Sequence, residues 1–327
     1  MIQLRRIGDT VLCTPAIRAL HERFPDARID VLAERPADEA LLAHPLIDRL
    51  LVAPRRGLRA TLAFIRLLRR ERYDWTIDYL SNPRSAQFAF VSGARIRVGL
   101  NRFGRRWAYT HRVIEEPADA DLYAADLRLE ILRQLGVPAV GHALEIYSDR
   151  AAPAETARVR QLVDGLARPR IAIAVGGGNP AKRYAADLSA QLVTLLQASG
   201  YSCLLTSGPG ESEFAEAVLR ELPSPIPHLA NARVPTLAAL YRLVDLYLGA
   251  DSSPKHIAVA CGLPTVTLFG PGNPANWTAS ADPRHLVVAP SCPDRPRCVE
   301  SVCAQRGCLR RVAPQSVVAA VQSLIPQ

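Results

Sequence analysis

Several polar residues between Asp251 and Pro274 are of types that bind phosphates and sugars. Asp251 follows an apolar run typical of a buried strand, and Ser252 and Ser253 precede a helical pattern. Free backbone N–H groups at a helix start bind anions such as phosphate, and serine is also a preferred N-cap residue. His256 lies one turn into the helix, on the side that the serines occupy. The pattern predicts an anion site or an ordinary capped helix, and these residues alone leave both open.

Two segments earlier in the chain could bind the same kind of ligand. Gly177 and Gly178 follow an apolar strand pattern and leave backbone N–H groups uncovered, as phosphate-binding loops do. Lys182 follows them and can neutralise a phosphate. The segment is neither a Walker A loop nor a GxGxxG fingerprint, so a flexible turn with an exposed lysine is the alternative. Glu211, after the next strand pattern, can accept ribose hydroxyl groups or cap a helix.

Gly8 and Asp9 follow the first apolar segment, residues 2–4, which is predicted to be a strand. Glycine permits a tight turn and the close approach of a ligand. The Asp9 carboxylate is either a helix N-cap or a general base that removes a proton from a substrate hydroxyl. The strand is short and Met1 begins inside it, so we expect the natural start to lie a few residues upstream.

Two groups of residues match metal ligands by type but not by context. Asp119 and Asp121 form the Asp-x-Asp pattern of metal-dependent glycosyl transfer, but they lie in an acidic linker, where a solvated loop is expected. Four cysteines near the C-terminus can hold zinc or pair as disulfides. Their spacing lacks the Cys-x2-Cys knuckle of structural zinc sites, which disfavours a metal, and the role of the cluster stays open. They are Cys292, Cys298, Cys303 and Cys308.

The composition of the 327-residue chain predicts a soluble, cytoplasmic protein of two domains. No apolar run approaches the roughly 20 residues that cross a bilayer, and the N-terminus lacks a secretion-signal pattern. The net charge is +9, and arginine dominates it, with clusters at residues 66–72 and 102–106. The excess of positive charge either has no specific function or binds phosphates or an anionic membrane. No RNA-binding aromatic motif or zinc-finger spacing accompanies it, so nucleic acid is not a predicted partner.

Short apolar segments alternate with amphipathic helical patterns along the whole chain. The predicted strands lie at residues 2–4, 28–33, 74–79, 95–99, 171–175, 202–206, 245–249 and 265–269. This alternation predicts an α/β protein whose parallel sheets are joined by right-handed crossovers. A stretch rich in Ala, Arg and Pro at residues 148–170 marks the boundary between two similar units, residues 1–150 and 151–327. The second unit contains the cysteine-rich segment and a terminal helix over residues 314–324. We expect two Rossmann-like domains with parallel sheets facing a central cleft.

The ordered motifs resemble those of glycosyltransferase family 9, the heptosyltransferases of lipopolysaccharide assembly. The N-terminal pattern Arg-x-Ile-Gly-Asp-x-Val-Leu-x-Thr-Pro-Ala-x-Arg-Ala-Leu occupies residues 5–20. Residues 73–78 and 92–99 are similar to the family's middle blocks. Its C-terminal Asp-Ser-Gly-x-x-His and Phe-Gly-Pro-x-x-Pro blocks correspond to residues 251–256 and 269–274.

The resemblance implies a GT-B fold and an inverting, metal-independent sugar transfer that needs no cofactor. It implies an ADP-heptose-like nucleotide-diphosphate sugar in the second domain and a lipopolysaccharide or related glycan acceptor on the first. Asp9 would be the general base. The glycines and the lysine would hold the diphosphate, Glu211 the ribose, and the residues from Asp251 onward the sugar and phosphate. The implied donor-binding set is Gly8, Gly177, Gly178, Lys182, Glu211, Asp251, Ser252, Ser253 and His256.

Three departures from the family pattern indicate a divergent member. Ser253 stands where the family usually has glycine, which puts the closest backbone approach to the donor in question. Lys255 introduces a charge where an apolar residue is common. Tyr184 and Ala185 replace the usual Trp-Pro after the lysine. None of the three removes an acid–base group, but together they allow a different donor sugar.

Three other functions stay open. The chain could transfer another nucleotide-linked hexose to a surface glycan or glycoprotein, bind a sugar nucleotide without transfer, or epimerise one. An Asp9→Ala protein that binds donor but transfers nothing would favour the transferase. The basic segments 58–72 and 102–106 lie in the expected acceptor domain. We predict that they contact a phosphorylated or lipid-linked acceptor, or give the protein a peripheral position at the inner membrane.

Overall fold

The computed structural model describes residues 1–116, 121–292 and 307–326. Asp119 of the Asp-x-Asp pattern and Cys298 and Cys303 of the cysteine cluster lie outside the described residues. The chain divides into two compact units, Met1–Tyr147 and Ser148–Gln327, and both are α/β. Within the described ranges, no helix is both long and apolar enough to cross a membrane.

The first unit is built on five short parallel strands. They are β1 (Asp30–Ala33), β2 (Arg49–Val52), β3 (Trp75–Asp78), β4 (Ile96–Leu100) and β5 (His111–Val113). β1 pairs with β2, and β3, β4 and β5 form a second group. Ile2 lies between the groups, because it bridges Leu32 on one side and Asp78 on the other. Of the expected strand at residues 2–4, Ile2 forms this bridge. The Gln3 N–H also donates to the Leu32 carbonyl at 3.0 Å, and the Leu4 carbonyl accepts from the Glu34 N–H at 2.9 Å.

Among residues 1–116 and 121–147, the first unit contains five α-helices. They are α1 (Ile7–Val11), α2 (Thr14–Arg23), α3 (Leu58–Arg70), α4 (Pro83–Val91) and α5 (Ala124–Arg133). Ile17, Val98 and Leu132 belong to a buried core that α2 and α5 share with the strands. The basic helix α3 differs from the others, because Leu68 is its one fully buried residue. Most of α3 therefore faces solvent.

The second unit contains a six-stranded, fully parallel sheet. Its strands are β6 (Arg170–Ala174), β7 (Ser202–Thr206), β8 (His228–Leu229), β9 (Leu246–Ala250), β10 (Thr265–Leu268) and β11 (His285–Val288). The spatial order is β11-β10-β9-β6-β7-β8. This is the 3-2-1-4-5-6 order of the Rossmann fold, in which ligands bind at the carboxyl ends of the two central strands where the strand order reverses. Those central strands are β6 and β9.

Seven α-helices belong to the part of the second unit that the structure describes. They are α6 (Pro153–Val163), α7 (Ala186–Ala198), α8 (Ser212–Arg220), α9 (Val234–Tyr241), α10 (Ser253–Ala260), α11 (Pro274–Trp277) and α12 (Pro314–Leu324). Apolar side chains of α7, α8 and α12 pack with β6, β7 and β10 into one core that includes Leu196, Val218 and Val317. All five residues of β9 are buried, as expected for a strand covered on both faces.

Candidate functional site

The crevice between β6 and β9 places the candidate donor residues at one edge of the sheet. The two strands pair with Ala174 opposite Gly249, so their carboxyl ends lie side by side. A Cβ on Gly249 would lie 2.8 Å from the Ala174 carbonyl oxygen, which is too close for any side chain. Glycine is therefore required for the strands to approach here. The loops after β6 and β9 carry Lys182 and Asp251, respectively.

Asp251 is a buried carboxylate that accepts from two lysines. Lys182 Nζ donates to Asp251 Oδ2 at 3.1 Å, and Lys255 Nζ donates to Oδ1 at 2.5 Å. Burial raises the pKa of Asp251, but the charges of Lys255, His256 and Lys182 outweigh burial and hold the pKa below its usual value. The carboxylate is therefore charged at neutral pH. Asp251 and its two lysines, Lys182 and Lys255, together carry a net positive charge.

Lys182 and Lys255 are the only two lysines in the sequence, and all the other residues of the combined Lys and Arg count are arginines. Both lysines meet on the same carboxylate. A lysine is a compact point charge with three donors on a flexible stem, whereas arginine is a planar fork. A carboxylate that is approached from two sides in a narrow crevice is suited to two compact charges.

Lys255, noted above as a departure from the family pattern, is fully compensated where it lies. Its side chain is only 1% exposed. Besides Asp251, its Nζ donates to the Trp277 carbonyl at 2.8 Å, and it lies 5.7 Å from the centre of the Phe269 ring. Burial lowers the pKa of the Lys255 ammonium, and attraction to Asp251 opposes that effect. Lys255 thus connects the loop after β9 to α11.

The start of α10 differs from the capped helix considered above. Ser252 occupies the N-cap position, but no side chain caps the helix, and the Ser252 hydroxyl donates to the Ala250 carbonyl at 3.4 Å. The serine-cap alternative is therefore wrong. Ser253 is the first helical residue, and His256 is buried with its ring 6.2 Å from that of Trp277. The helix start lies directly beside Asp251.

Glu211 does not cap α8 either. It occupies the N-cap position without capping the helix, and its Oε2 accepts from the Gly208 backbone N–H at 2.7 Å. A Cβ on Gly176 would lie 1.7 Å from that same oxygen. Gly176, which the sequence analysis left out of the candidate set, is therefore required for Glu211 to reach the end of β6. The run of three glycines was the available signal.

The other two glycines of that run have different surroundings. The Gly177 carbonyl accepts from Arg183 Nε at 2.9 Å, which fixes the loop. A Cβ on Gly178 would meet no atom within 4 Å. The flexible-turn alternative with a solvated lysine is wrong in one respect, because Lys182 contacts Asp251. The loop after β6 is thus fixed at Gly177 and Lys182 and open at Gly178.

In the first unit, Asp9 is the third residue of α1 rather than its N-cap, which is Arg6. Gly8, the residue before it, is buried. Arg128 Nη2 donates to Asp9 Oδ1 at 2.7 Å, and Arg128 Nη1 donates to the Ala124 carbonyl within α5. Sequence reasoning missed Arg128, because nothing in its spacing connects it to a residue more than a hundred positions earlier.

The described part of the chain contains no group of three or more His, Cys, Asp or Glu that could hold a metal ion. Of the four clustered cysteines, Cys292 and Cys308 lie among the described residues, and Cys308 is buried.

The fold and the crevice define the class of the protein. Two α/β units with parallel sheets, one of them with a polar crevice at a Rossmann switch point, are features of a GT-B glycosyltransferase, so the prediction of an α/β, GT-B fold with parallel sheets is confirmed. The model of glycosyltransferase family 9 (heptosyltransferase) matches residues 61–304. The chain belongs to this family and is a glycosyltransferase.

Curated relatives and solved structures agree with this assignment. Lipopolysaccharide heptosyltransferase 3 of Escherichia coli is 27% identical over 291 residues, which cover 84% of each chain. A family 9 glycosyltransferase from Veillonella parvula superposes with a TM-score of 0.82 at 23% identity, covering 99% of this chain and 95% of the other. The ADP-heptose lipopolysaccharide heptosyltransferase II of E. coli gives a TM-score of 0.80 at 21% identity, covering 99% and 97%.

Proposed function

We propose that the protein transfers a heptose-like sugar from an ADP-linked donor to a lipopolysaccharide or related glycan acceptor. The transfer inverts the anomeric centre and needs no metal. The observation that carries the proposal is the positively charged group of Lys182, Asp251 and Lys255 at the switch point of the second unit. The names of two relatives support the choice of donor and acceptor. One is called a lipopolysaccharide heptosyltransferase, and the other an ADP-heptose lipopolysaccharide heptosyltransferase.

In this proposal the second unit, Ser148–Gln327, binds the donor. The diphosphate lies on the loop after β6, against the backbone of Gly177 and Gly178 and the ammonium of Lys182, because helix starts and glycine-rich loops favour anions. Glu211 accepts the ribose hydroxyls. The sugar and the adjoining phosphate contact four residues at the start of α10. These are Asp251, Ser252, Ser253 and His256.

The first unit, Met1–Tyr147, supplies the base and binds the acceptor. Asp9 removes the proton from the acceptor hydroxyl, whose oxygen attacks the anomeric carbon while the bond from that carbon to the diphosphate oxygen breaks. The electron pair leaves with the nucleotide diphosphate, and Lys182 stabilises the charge that develops there. A single displacement of this kind inverts the anomeric configuration. Arg128 holds the Asp9 carboxylate in place through one of its two oxygens.

The acceptor in this proposal is anionic and linked to a lipid, which brings the protein to the cytoplasmic face of the inner membrane. The exposed arginines of α3 support this part, because they present positive charge on the unit that is assigned to the acceptor. Exposed arginines near a membrane attract its anionic lipids and phosphorylated glycolipids alike.

The donor is tested by thermal shift against ADP-, UDP-, GDP- and dTDP-sugars. We expect ADP-heptose to raise the melting temperature most, because the relatives named for their donor use it. A larger shift with another nucleotide would overturn the donor assignment and favour a hexose transferase, for which the departure at Ser253 leaves room. Recovery of an epimerised sugar nucleotide, with no transfer, would overturn the transferase.

The chemistry is tested with a lipopolysaccharide-core acceptor, with and without EDTA. We expect equal rates in the two conditions and a product whose anomeric configuration, read by NMR, is opposite to that of the donor. A rate that EDTA abolishes and Mg²⁺ restores would contradict the metal-independent mechanism. Retention of configuration would contradict the single displacement.

A further inference from the structure

Three aromatic side chains are exposed on the first unit. Phe103 is 90% exposed, Trp107 is 52% exposed and Phe90 is 45% exposed. The rings of Phe90 and Trp107 meet edge to face with their centres 5.2 Å apart. Trp107 Nε1 donates to the Gly104 carbonyl at 3.0 Å, so the turn that carries Phe103 is held against the indole. The group is fixed in place, and its most exposed member points away from the core.

The same surface carries a dense positive charge. Residues 84–112 contain seven arginines and no acidic residue. Arg97 lies over the Phe90 ring with its guanidinium carbon 5.7 Å from the ring centre, and Arg105 donates to the Phe103 carbonyl at 3.2 Å. Arg106 is exposed beside Trp107. Arg84 and Arg102 pair with Glu34 and Glu115, which lie outside this segment. Arg97, Arg105 and Arg106 lie at the rings, so the aromatic group is bordered by cationic side chains.

Helix α3 extends this surface. Arg69 of α3 donates to the Val91 carbonyl at the end of α4, one residue after Phe90. Leu58 and Leu62 of α3 are exposed, although the helix has a clear apolar face. Residues 55–72 add seven arginines against a single acidic residue, Glu71. We call the whole region the aromatic–arginine surface, and it comprises Phe90, Phe103, Arg106, Trp107 and the exposed face of α3.

A bilayer that contains anionic lipid matches both properties of this surface. Trp and other amphipathic aromatic side chains prefer the headgroup level of a membrane, and an amphipathic basic helix lies in that plane. Arginines near the surface gain from the negative potential of anionic lipids. A soluble phosphorylated glycan would match the charge and could stack on a ring, but it would leave the exposed aliphatic side chains Leu58 and Leu62 of α3 uncovered. Exposed apolar groups of this extent on a soluble protein mark an interaction site.

We infer that the aromatic–arginine surface docks on an anionic bilayer, with Phe103 and Trp107 at the boundary of headgroups and acyl chains. This surface would hold the protein at the membrane position that the proposed function includes, and in that respect the inference rests on the proposed function. The donor chemistry uses none of these residues. Loss of docking therefore leaves nucleotide binding unchanged, whereas failure of the donor proposal leaves vesicle binding unchanged.

The test is flotation with vesicles of phosphatidylethanolamine and phosphatidylglycerol, compared with neutral phosphatidylcholine vesicles. We expect Phe103→Ser to weaken binding to the anionic vesicles about tenfold, because it removes a large exposed apolar group from the contact. Arg106→Gln weakens it about fivefold on anionic vesicles alone. The matched control is Arg158→Gln in the second unit, whose side chain is 63% exposed and which leaves binding unchanged.

Tryptophan emission gives a readout that a folding defect would not imitate. Vesicles shift the emission of the wild-type protein to the blue, and brominated acyl chains quench it. Both effects disappear in Trp107→Phe, which keeps the thermal shift with ADP-sugar. Equal vesicle binding by wild type and Phe103→Ser would overturn the inference. So would a Phe103→Ser protein that loses self-association in sedimentation but not vesicle binding, since the surface would then join two copies of the chain.

Discussion

Two aspartates, one in each unit, are the acids on which the proposed chemistry depends, and their surroundings are opposite. The Asp9 side chain is 22% exposed and accepts from one cation, Arg128. The Asp251 side chain is 5% exposed and accepts from two cations, Lys182 and Lys255. Arg128 contacts only one of the two Asp9 oxygens among the bonds described, whereas both Asp251 oxygens accept from lysine.

The difference distinguishes a carboxylate that can act as a base from a carboxylate that holds the charged groups around it in place. A general base must present an oxygen to the proton that it removes, and Asp9 is accessible enough to do so. A buried carboxylate with two cations is held in one position and sets the charge around it instead. Mutation of Asp9 should therefore change the transfer rate, whereas mutation of the residues around Asp251 should change stability or ligand affinity.

The largest effect is expected for Asp9→Asn, which keeps the shape but removes the basic oxygen. The transfer rate falls about a thousandfold, because a positioned base contributes about 10²–10⁴ to the rate. Donor affinity and melting temperature change little. The measurements are steady-state kinetics and a thermal shift with ADP-heptose. A variant that retains the wild-type rate would contradict the role of Asp9, and one that loses donor binding would show that the two regions are not separable.

Lys255→Met tests the organising role of Asp251 and has the next largest effect. The variant leaves a buried carboxylate with Lys182 as its cation, so we expect the second unit to lose about 3 kcal/mol of unfolding free energy. Urea denaturation measures the loss. The control is the double variant Asp251→Asn with Lys255→Met, in which the buried charge is also removed and most of the stability returns. A single variant as stable as wild type would refute the buried ion pair.

The buried imidazole of His44 is neutral, in contrast to the charged groups at Asp251, and it makes the stability of the first unit depend on pH. Burial lowers the pKa of His44 to about 4, although Glu145 opposes this and Arg18 adds to it. The unfolded chain takes up the proton near pH 6.5 and the folded chain does not, so stability is lost as the pH falls from about 6.5 towards 4. We expect a loss of about 2 kcal/mol between pH 6.5 and 5.

His44→Gln should remove that part of the pH dependence, measured by urea denaturation at several pH values. The control is His111→Gln, since His111 is exposed in the same unit and its replacement leaves the slope unchanged. An identical pH dependence in wild type and His44→Gln would assign the acid sensitivity to other groups.

The smallest effect separates the two lysines of Asp251. Lys182→Met leaves the carboxylate with its shorter and more buried contact, so we expect stability to stay close to wild type. Affinity for ADP falls about tenfold, because a charge-assisted contact with the diphosphate is lost. Isothermal titration calorimetry with ADP measures it. If Lys182→Met destabilised the protein as much as Lys255→Met while ADP affinity stayed intact, the assignment of the two lysines would be reversed.

The sequence patterns predicted interior elements well and edges badly. The bounds of β7 (Ser202–Thr206) and α12 (Pro314–Leu324) were predicted to the residue. Four strands were missed, and each lies at the edge of its sheet: β2, β5, β8 and β11. An edge strand is covered on fewer sides, so it needs no long apolar run, and the two residues of β8 show the extreme case. Burial, which produces the pattern, is weakest there.

The candidate site was predictable where residues adjoin strand ends and unpredictable where they meet through space. Asp251 and Lys182 could be placed at one sheet edge, because the carboxyl ends of parallel strands lie together. Gly176 and Arg128 could not, since each is required by a side chain far along the chain, Glu211 and Asp9 respectively. The family pattern presented Lys255 as an anomaly, although its charge is matched by Asp251, four residues earlier.

The presence of only two lysines, both on Asp251, confines the ε-amino chemistry of this chain to one crevice. Reductive methylation with isotope-labelled formaldehyde would place labels on two side chains and the chain terminus, so an NMR spectrum would contain one resonance for each crevice lysine. The buried lysine would be labelled last. Nucleotide addition should then move the Lys182 resonance more than that of Lys255, and the protein would report occupancy of its own crevice without any engineered tag.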